Sequence, residues 1–279
     1  MDNQQLNFRV VKAGALNLEV FNASEESFGV ASVIISGEKD AVLVDAQFTL
    51  ADAETVAQRI QSSGKELKSI YISHNDPDFY FGLEVFKKYF PKVTAYATPT
   101  VVEKIKATSQ KKLEVWGDRL GDKITSNIVL PQVLNGNQID IEGYTLQVVG
   151  LEQFPEKTFL WIPDAKAIVG GINIFGDTFN LWMADAQSTE SRQQWIDVLN
   201  KIVEYTPEIV IPAHAKNSDS FDIRSVQHTK EYIENYEQAL KTAKTSEELI
   251  QSITSKYPNL TFDTALQLGA KVNTGEMKW

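Results

Sequence analysis

The sequence predicts an α/β fold built as a four-layer αββα sandwich that closes with helices. Two observations carry this. Strand-like apolar runs alternate with helical patterns along the chain, and two stretches, around 30–44 and 138–169, are rich in strands. Two strand-rich halves that each carry helices bury their apolar faces most simply by stacking sheet on sheet.

The elements follow from local signals. Residues 30–35 and 41–44 are apolar runs flanking Ser36-Gly37-Glu38-Lys39-Asp40, a hairpin connection. Residues 51–62 read as an amphipathic helix, with Val56 and Ile60 four apart and Gly64 just past its end. The run 69–72 is a short buried strand, 83–89 a helix and 94–97 a strand. Pro99 opens a helix over 100–106, while 108–122, polar and weakly periodic around Trp116, reads as a helix with a loop or lid. Strands follow at 138–141, 145–149, 158–162 and 167–169, with turns at Glu142-Gly143 and Pro163-Asp164. Ser188, with Ser191 behind it, caps a helix to Tyr205, and 208–211 is a strand ending near His214. Residues 225–244 and 246–257 read as two further helices, the first carrying His228 in a solvated polar setting. The tail from Asn259 lacks helix signals at its end. No linker or low-complexity tract divides the chain, so one domain over 1–279 is expected.

Composition narrows the function. The chain has 279 residues, 43% hydrophobic and 10% aromatic, enough for a large core. Its net charge of −10 repels polyanions, which argues against nucleic acid as a partner. Without cysteine there is no disulfide, thiolate metal ligand or cysteine nucleophile. No segment reaches the roughly twenty apolar residues needed to cross a membrane. The polar start has no signal-peptide pattern, so a cytoplasmic location is expected, with a periplasmic or secreted one open had a leader been removed.

The chemistry concentrates in Ser73-His74-Asn75-Asp76-Pro77-Asp78-Phe79-Tyr80-Phe81-Gly82, directly after the strand at 69–72. Alternate residues of an extended segment point one way, so His74, Asp76 and Asp78 could converge on one cation, which imidazole and carboxylate suit. Asn, Asp and Pro are equally the residues of an ordinary turn.

From about Phe28 to Ile211 the chain resembles the metallo-β-lactamase superfamily of hydrolases. The likeness rests on the hairpin ending in Asp45, a following helix, and a strand entering a loop similar to H-x-H-x-D-H. It continues in Gly150-Leu151, Gly170-Gly171-Ile172 and Pro212-Ala213-His214. Carried over by position, the resemblance implies His74, Asp78 and His214 as kept ligands and Asp76 as a replaced one. Phe79, Leu151 and Ile172 stand where further ligands would be. Apolar side chains donate nothing, so a bridged pair of zinc ions is excluded, and at most one divalent ion (Zn, Fe or Mn) could be held by His74, Asp76, Asp78 and His214. No cofactor at all is an equal expectation. Glu152 and Asn173, each one residue from a lost position, could turn inward after a register shift. The residues after His214, about 222–279, resemble a helical C-terminal extension found in one branch of the superfamily.

Two functions remain open at this point. One is a metal-dependent hydrolase in which Asp78 orients or deprotonates the attacking water on a small hydrophobic ester, lactone or amide. The other is a noncatalytic relative that binds a small ligand or partner through the same pocket, walled by Phe79, Tyr80, Leu151, Glu152, Ile172, Asn173 and Trp182. A homo-oligomer is compatible with either.

Overall fold

The computed structural model describes residues 8–279. The first sheet has seven strands in sequential order: β1 (Phe8–Ala13), β2 (Leu16–Asn22), β3 (Ala31–Ser36), β4 (Asp40–Val44), β5 (Glu66–Tyr71), β6 (Thr94–Ala97) and β7 (Gln132–Val133). It is antiparallel from β1 to β4 and parallel from β4 onward. The second sheet runs β12 (Ile209–Val210), β11 (Ala167–Val169), β10 (Phe159–Ile162), β9 (Tyr144–Val149) and β8 (Gln138–Ile141).

The αββα layering follows from two-sided burial. Along β4, Leu43 faces the core under α1 (Leu50–Ser62), α3 (Leu83–Tyr89) and α4 (Pro99–Leu120), while Val42 and Val44 face the second sheet. The inter-sheet core adds Leu18, Val20, Val33 and Ile35 from the first sheet and Ile139, Leu146, Val148 and Leu160 from the second. The outer face of the second sheet is covered by α5 (Thr189–Glu204), α6 (Ile223–Leu240), α7 (Ser246–Lys256) and α8 (Asp263–Asn273). Strands covered on both faces read as continuous apolar runs, which is why β3 and β4 were legible.

Most expected elements stand within a residue or two. Ser188 and Ser191 form the capping box that opens α5. Four differences are informative. Residues 108–122 hold no loop or lid until the helix ends at Leu120, because Val102, Ile105, Ser109, Leu113, Trp116 and Leu120 keep one helical face against the core. The β1–β2 hairpin was missed, although Gly14 at φ 66° turns two alternating strands. Helix α8 was missed too; it is held by packing, since Gly269 lies against Met183 so closely that a Cβ would come within 3.1 Å of the Met183 Cβ. His228 is also not the solvated surface residue its charged neighbours suggest. Its Nε2 lies 2.8 Å from the Phe179 carbonyl, and its ring packs edge-on against Tyr232 and Tyr257.

Gly82 sits where α1 and α3 approach. A Cβ there would meet the Ala46 carbonyl oxygen at 1.9 Å and the Ala53 Cβ at 2.6 Å. Gly82→Ala is therefore expected to lower stability by about 2 kcal/mol, because the obstructing atom is backbone and cannot rotate away. Urea unfolding measures this, and a loss below about 0.5 kcal/mol would show that the two segments can part freely.

Candidate functional site

The parallel strands β4, β5 and β6 end together, and the His74 loop leaves from the end of β5 on that edge. Loops at the carboxyl ends of parallel strands are where α/β folds collect function. Asp45, in a left-handed conformation at φ 64°, accepts hydrogen bonds from the Ser73 backbone N–H (2.7 Å) and hydroxyl (2.6 Å). The loop is laced further to the same segment, with Ala46 N–H donating to Phe79 O at 2.7 Å and Gly82 N–H donating to Gln47 O at 2.9 Å. Burial pushes the Asp45 carboxyl up to about 7, against the Ser73 hydrogen bonds that pull it down.

His214 comes from the opposite side, just after β12. Backbone bridges to Val30 and Phe175 fix its position, and Gly176 N–H donates to its carbonyl at 2.7 Å. Its Nδ1 lies 3.0 Å from the Phe28 carbonyl, which can only accept, so Nδ1 carries the proton and Nε2 presents a lone pair. The imidazole stacks on Phe175 at 4.9 Å and meets Phe79 edge to face at 5.7 Å. Burial in this aromatic slot pushes the His214 imidazole down to about 4, so it is neutral at neutral pH.

The four candidate ligands fall into two pairs. In the first, His74 Nε2 is 3.3 Å from Asp76 Oδ2, and Lys112 Nζ is 2.7 Å from the other Asp76 oxygen and 3.0 Å from the Asn75 carbonyl. Burial alone would raise the Asp76 carboxyl; His74 and Lys112 facing it hold it below the usual carboxylate range. In the second pair, Asp78 Oδ2 is 3.8 Å from His214 Nε2, and both side chains are buried. Burial, reinforced by the Asp76 charge, pushes the Asp78 carboxyl well above its usual range. Burial thus works against the charged carboxylate that a general base at Asp78 would need.

Phe79, standing where the superfamily pattern would have a histidine, touches both imidazoles edge to face, His74 at 5.3 Å and His214 at 5.7 Å. Leu151 and Ile172 are half-buried against the two cores. Glu152 is exposed and does not turn inward. Asn173 is buried, but as a tie: its side-chain amide N–H donates to the carbonyls of Lys157 (2.9 Å) and Thr158 (3.4 Å), and its backbone carbonyl accepts from Trp195 Nε1 at 2.8 Å. Among the described residues no group of three or more His, Asp or Glu side chains is arranged to hold a metal ion. As placed, the donors do not fit a metal centre, because an ammonium already balances Asp76 and a phenyl ring borders both histidines.

Above the cluster lies an aromatic wall that the sequence showed only in part. Phe28 contacts Phe48, Trp116, Trp182 and Phe262 at 5.4–5.8 Å. Trp116 meets Phe48 edge-on at 5.2 Å, and Trp279 meets Trp182 at 5.7 Å while donating to Asp185. Tyr80 is buried with its hydroxyl lacking a hydrogen-bond partner. Lys112 and the Phe28 cluster were missed because they reach the loop from segments distant in sequence. A cavity of about 800 Å³ lies elsewhere, lined among others by Glu54, Glu84, Tyr89 and Leu113, and none of the paired residues borders it.

Among the described residues no helix is long and apolar enough to cross a membrane. A family model described as the metallo-beta-lactamase superfamily matches residues 26–160. Solved structures share the fold. A metallo-beta-lactamase from Pontibacter korlensis is 16% identical with a TM-score of 0.56, over 82% of this chain and 99% of that one. The IND-7 metallo-beta-lactamase is 17% identical with a TM-score of 0.58, over 82% and 98%. The DIM-1 metallo-beta-lactamase exposed to ceftazidime is 20% identical with a TM-score of 0.55, over 82% and 97%. No curated protein matches the chain significantly by sequence. The family match covers the region that carries the His74 loop, and the solved structures share the sandwich, so the chain is similar to the metallo-β-lactamase superfamily in sequence over that region and in fold over most of its length.

Proposed function

We propose that this protein is a metal-free relative of the superfamily's hydrolases, acting as one domain, which binds a small hydrophobic ester, lactone or amide against its aromatic wall without hydrolysing it. The carrying observation is Lys112, whose ammonium sits 2.7 Å from Asp76 and supplies from within the chain the positive charge that the loop's carboxylate needs. Burial also disfavours the charge on Asp78, which weakens its pull on a cation. Phe28, Trp116 and Trp182 offer an apolar surface to the ligand, and Asp185, which accepts from Trp279 beside Trp182, supplies a polar group next to it.

Protein purified without chelator is expected to hold far less than one equivalent of zinc, iron or manganese, and chelation should leave its melting temperature unchanged, since a bound ion would stabilise the folded state. A phenyl ester and its amide should both quench tryptophan fluorescence with no release of product. Near-stoichiometric metal that disappears in His74→Ala, together with ester turnover, would overturn this reading in favour of a single-ion hydrolase.

A further inference from the structure

Lys112 lies 36 residues beyond Asp76 in sequence and reaches it from α4. Its place on the helix is fixed from both sides: Ser109 is buried one turn before it, and one turn after it Trp116 is locked against Phe48 and Phe28. The ammonium donates to Asp76 Oδ1 and to the Asn75 carbonyl, at 2.7 and 3.0 Å, with His74 Nε2 3.3 Å from the second Asp76 oxygen. A carboxylate oxygen and a backbone carbonyl thus hold a position that a cation of the protein's own occupies, with an imidazole on the carboxylate's other oxygen. The side chains of Lys112 and Asp76 are each only about a quarter exposed, so water screens the pair weakly.

We infer that Lys112 is a built-in counter-cation that withholds this position from metal ions, and that removing its charge turns the His74–Asp76 loop into a site for one divalent cation. This rests on the proposed metal-free state of the native chain. A divalent ion brought close to the ammonium would be repelled by it and would have to displace it from Asp76. Once the ammonium is gone, Asp76 is left part-buried with only the His74 imidazole beside it, which favours any cation that can reach its freed oxygen. The donors left are two oxygens and one nitrogen, a set that suits manganese better than a soft ion.

The test titrates Mn²⁺ into metal-free full-length wild type, Lys112→Met and Lys112→Arg by calorimetry, with melting followed in parallel. Lys112→Met is expected to bind one equivalent about a hundredfold or more tighter than wild type and to gain melting temperature on binding, because a full opposing charge has been removed. Lys112→Arg, which keeps the charge, should behave as wild type. Adding His74→Ala to Lys112→Met should weaken binding by at least about tenfold, since an imidazole donor is lost. Should Lys112→Met not stay folded without metal, Lys112→Gln, neutral yet still able to donate to Asp76, is read by the same outcomes. Equal Mn²⁺ affinity in the neutral variant and wild type, or equal tightening in Lys112→Arg, overturns the inference. Metal carried by wild type as purified would instead overturn the proposed function, whereas a metal-free wild type with no gain in the variant sinks this inference alone.

Discussion

Arg192→Ala is expected to cost about 3 kcal/mol of stability, because it strands a part-buried carboxylate and several acceptors at once. The Arg192 side chain is only 7% exposed and stands where three helices of the outer layer meet. It pairs with Glu237 of α6, donates to the Ala186 carbonyl at 2.7 Å, and reaches Asn273 of α8 at 3.1 Å. Truncation therefore loosens the C-terminal helices from α5 and from the 183–185 turn, to which Asn273 also donates at 2.8 Å. That turn follows Trp182, so the aromatic wall should loosen with it, and tryptophan fluorescence should shift to the red before global unfolding. Urea melts of Arg192→Ala and of Arg192→Met with Glu237→Met read the effect. Removing both charges should recover part of the loss, since no lone carboxylate is left. A single variant within about 0.5 kcal/mol of wild type would show that the C-terminal layer does not depend on this junction.

Asp45 should make the fold sensitive to pH in a specific direction. Its carboxyl titrates from the ordinary 3.8 when unfolded and from about 7 when buried, so the native state binds the proton more tightly. Stability from this group is fully present below about pH 4 and is lost as pH rises through about 7, by up to about 4 kcal/mol. Asp45→Asn carries no charge to bury, suits the left-handed backbone and can still accept from the Ser73 N–H while donating to its hydroxyl. The variant is therefore expected to match wild type near pH 4 and to exceed it above about pH 7. Comparing the two at each pH isolates Asp45 from His214, whose burial acts oppositely by destabilising the fold as pH falls through the range between about 6.5 and 4. Parallel pH profiles for the pair of proteins would rule out Asp45 as the source.

The candidate loop was legible because its information is local: an apolar strand followed by His74, Asp76 and Asp78 occupies one short segment, and the same holds for the continuous apolar runs of β3 and β4 and for the Ser188 cap. The spacing suggested that the three side chains converge. In the structure His74 pairs with Asp76, which also meets Lys112, while Asp78 faces His214. Helix α8 and the continuity of α4 escaped for a related reason. Their stability comes from neighbours such as Met183, Phe28 and Phe48 more than from strong local signals.

By itself the sequence determined the layered α/β architecture and the apolar faces that stack its sheets. Each of these depends only on a residue's type or on its spacing from near neighbours. The tertiary structure alone decided what compensates the surviving carboxylates. An ammonium from α4, a phenyl ring between imidazole contacts and a buried pairing of Asp78 with His214 join segments up to 136 positions apart. Charge and burial act through space, so the protonation state of such a site is fixed only when the chain has folded.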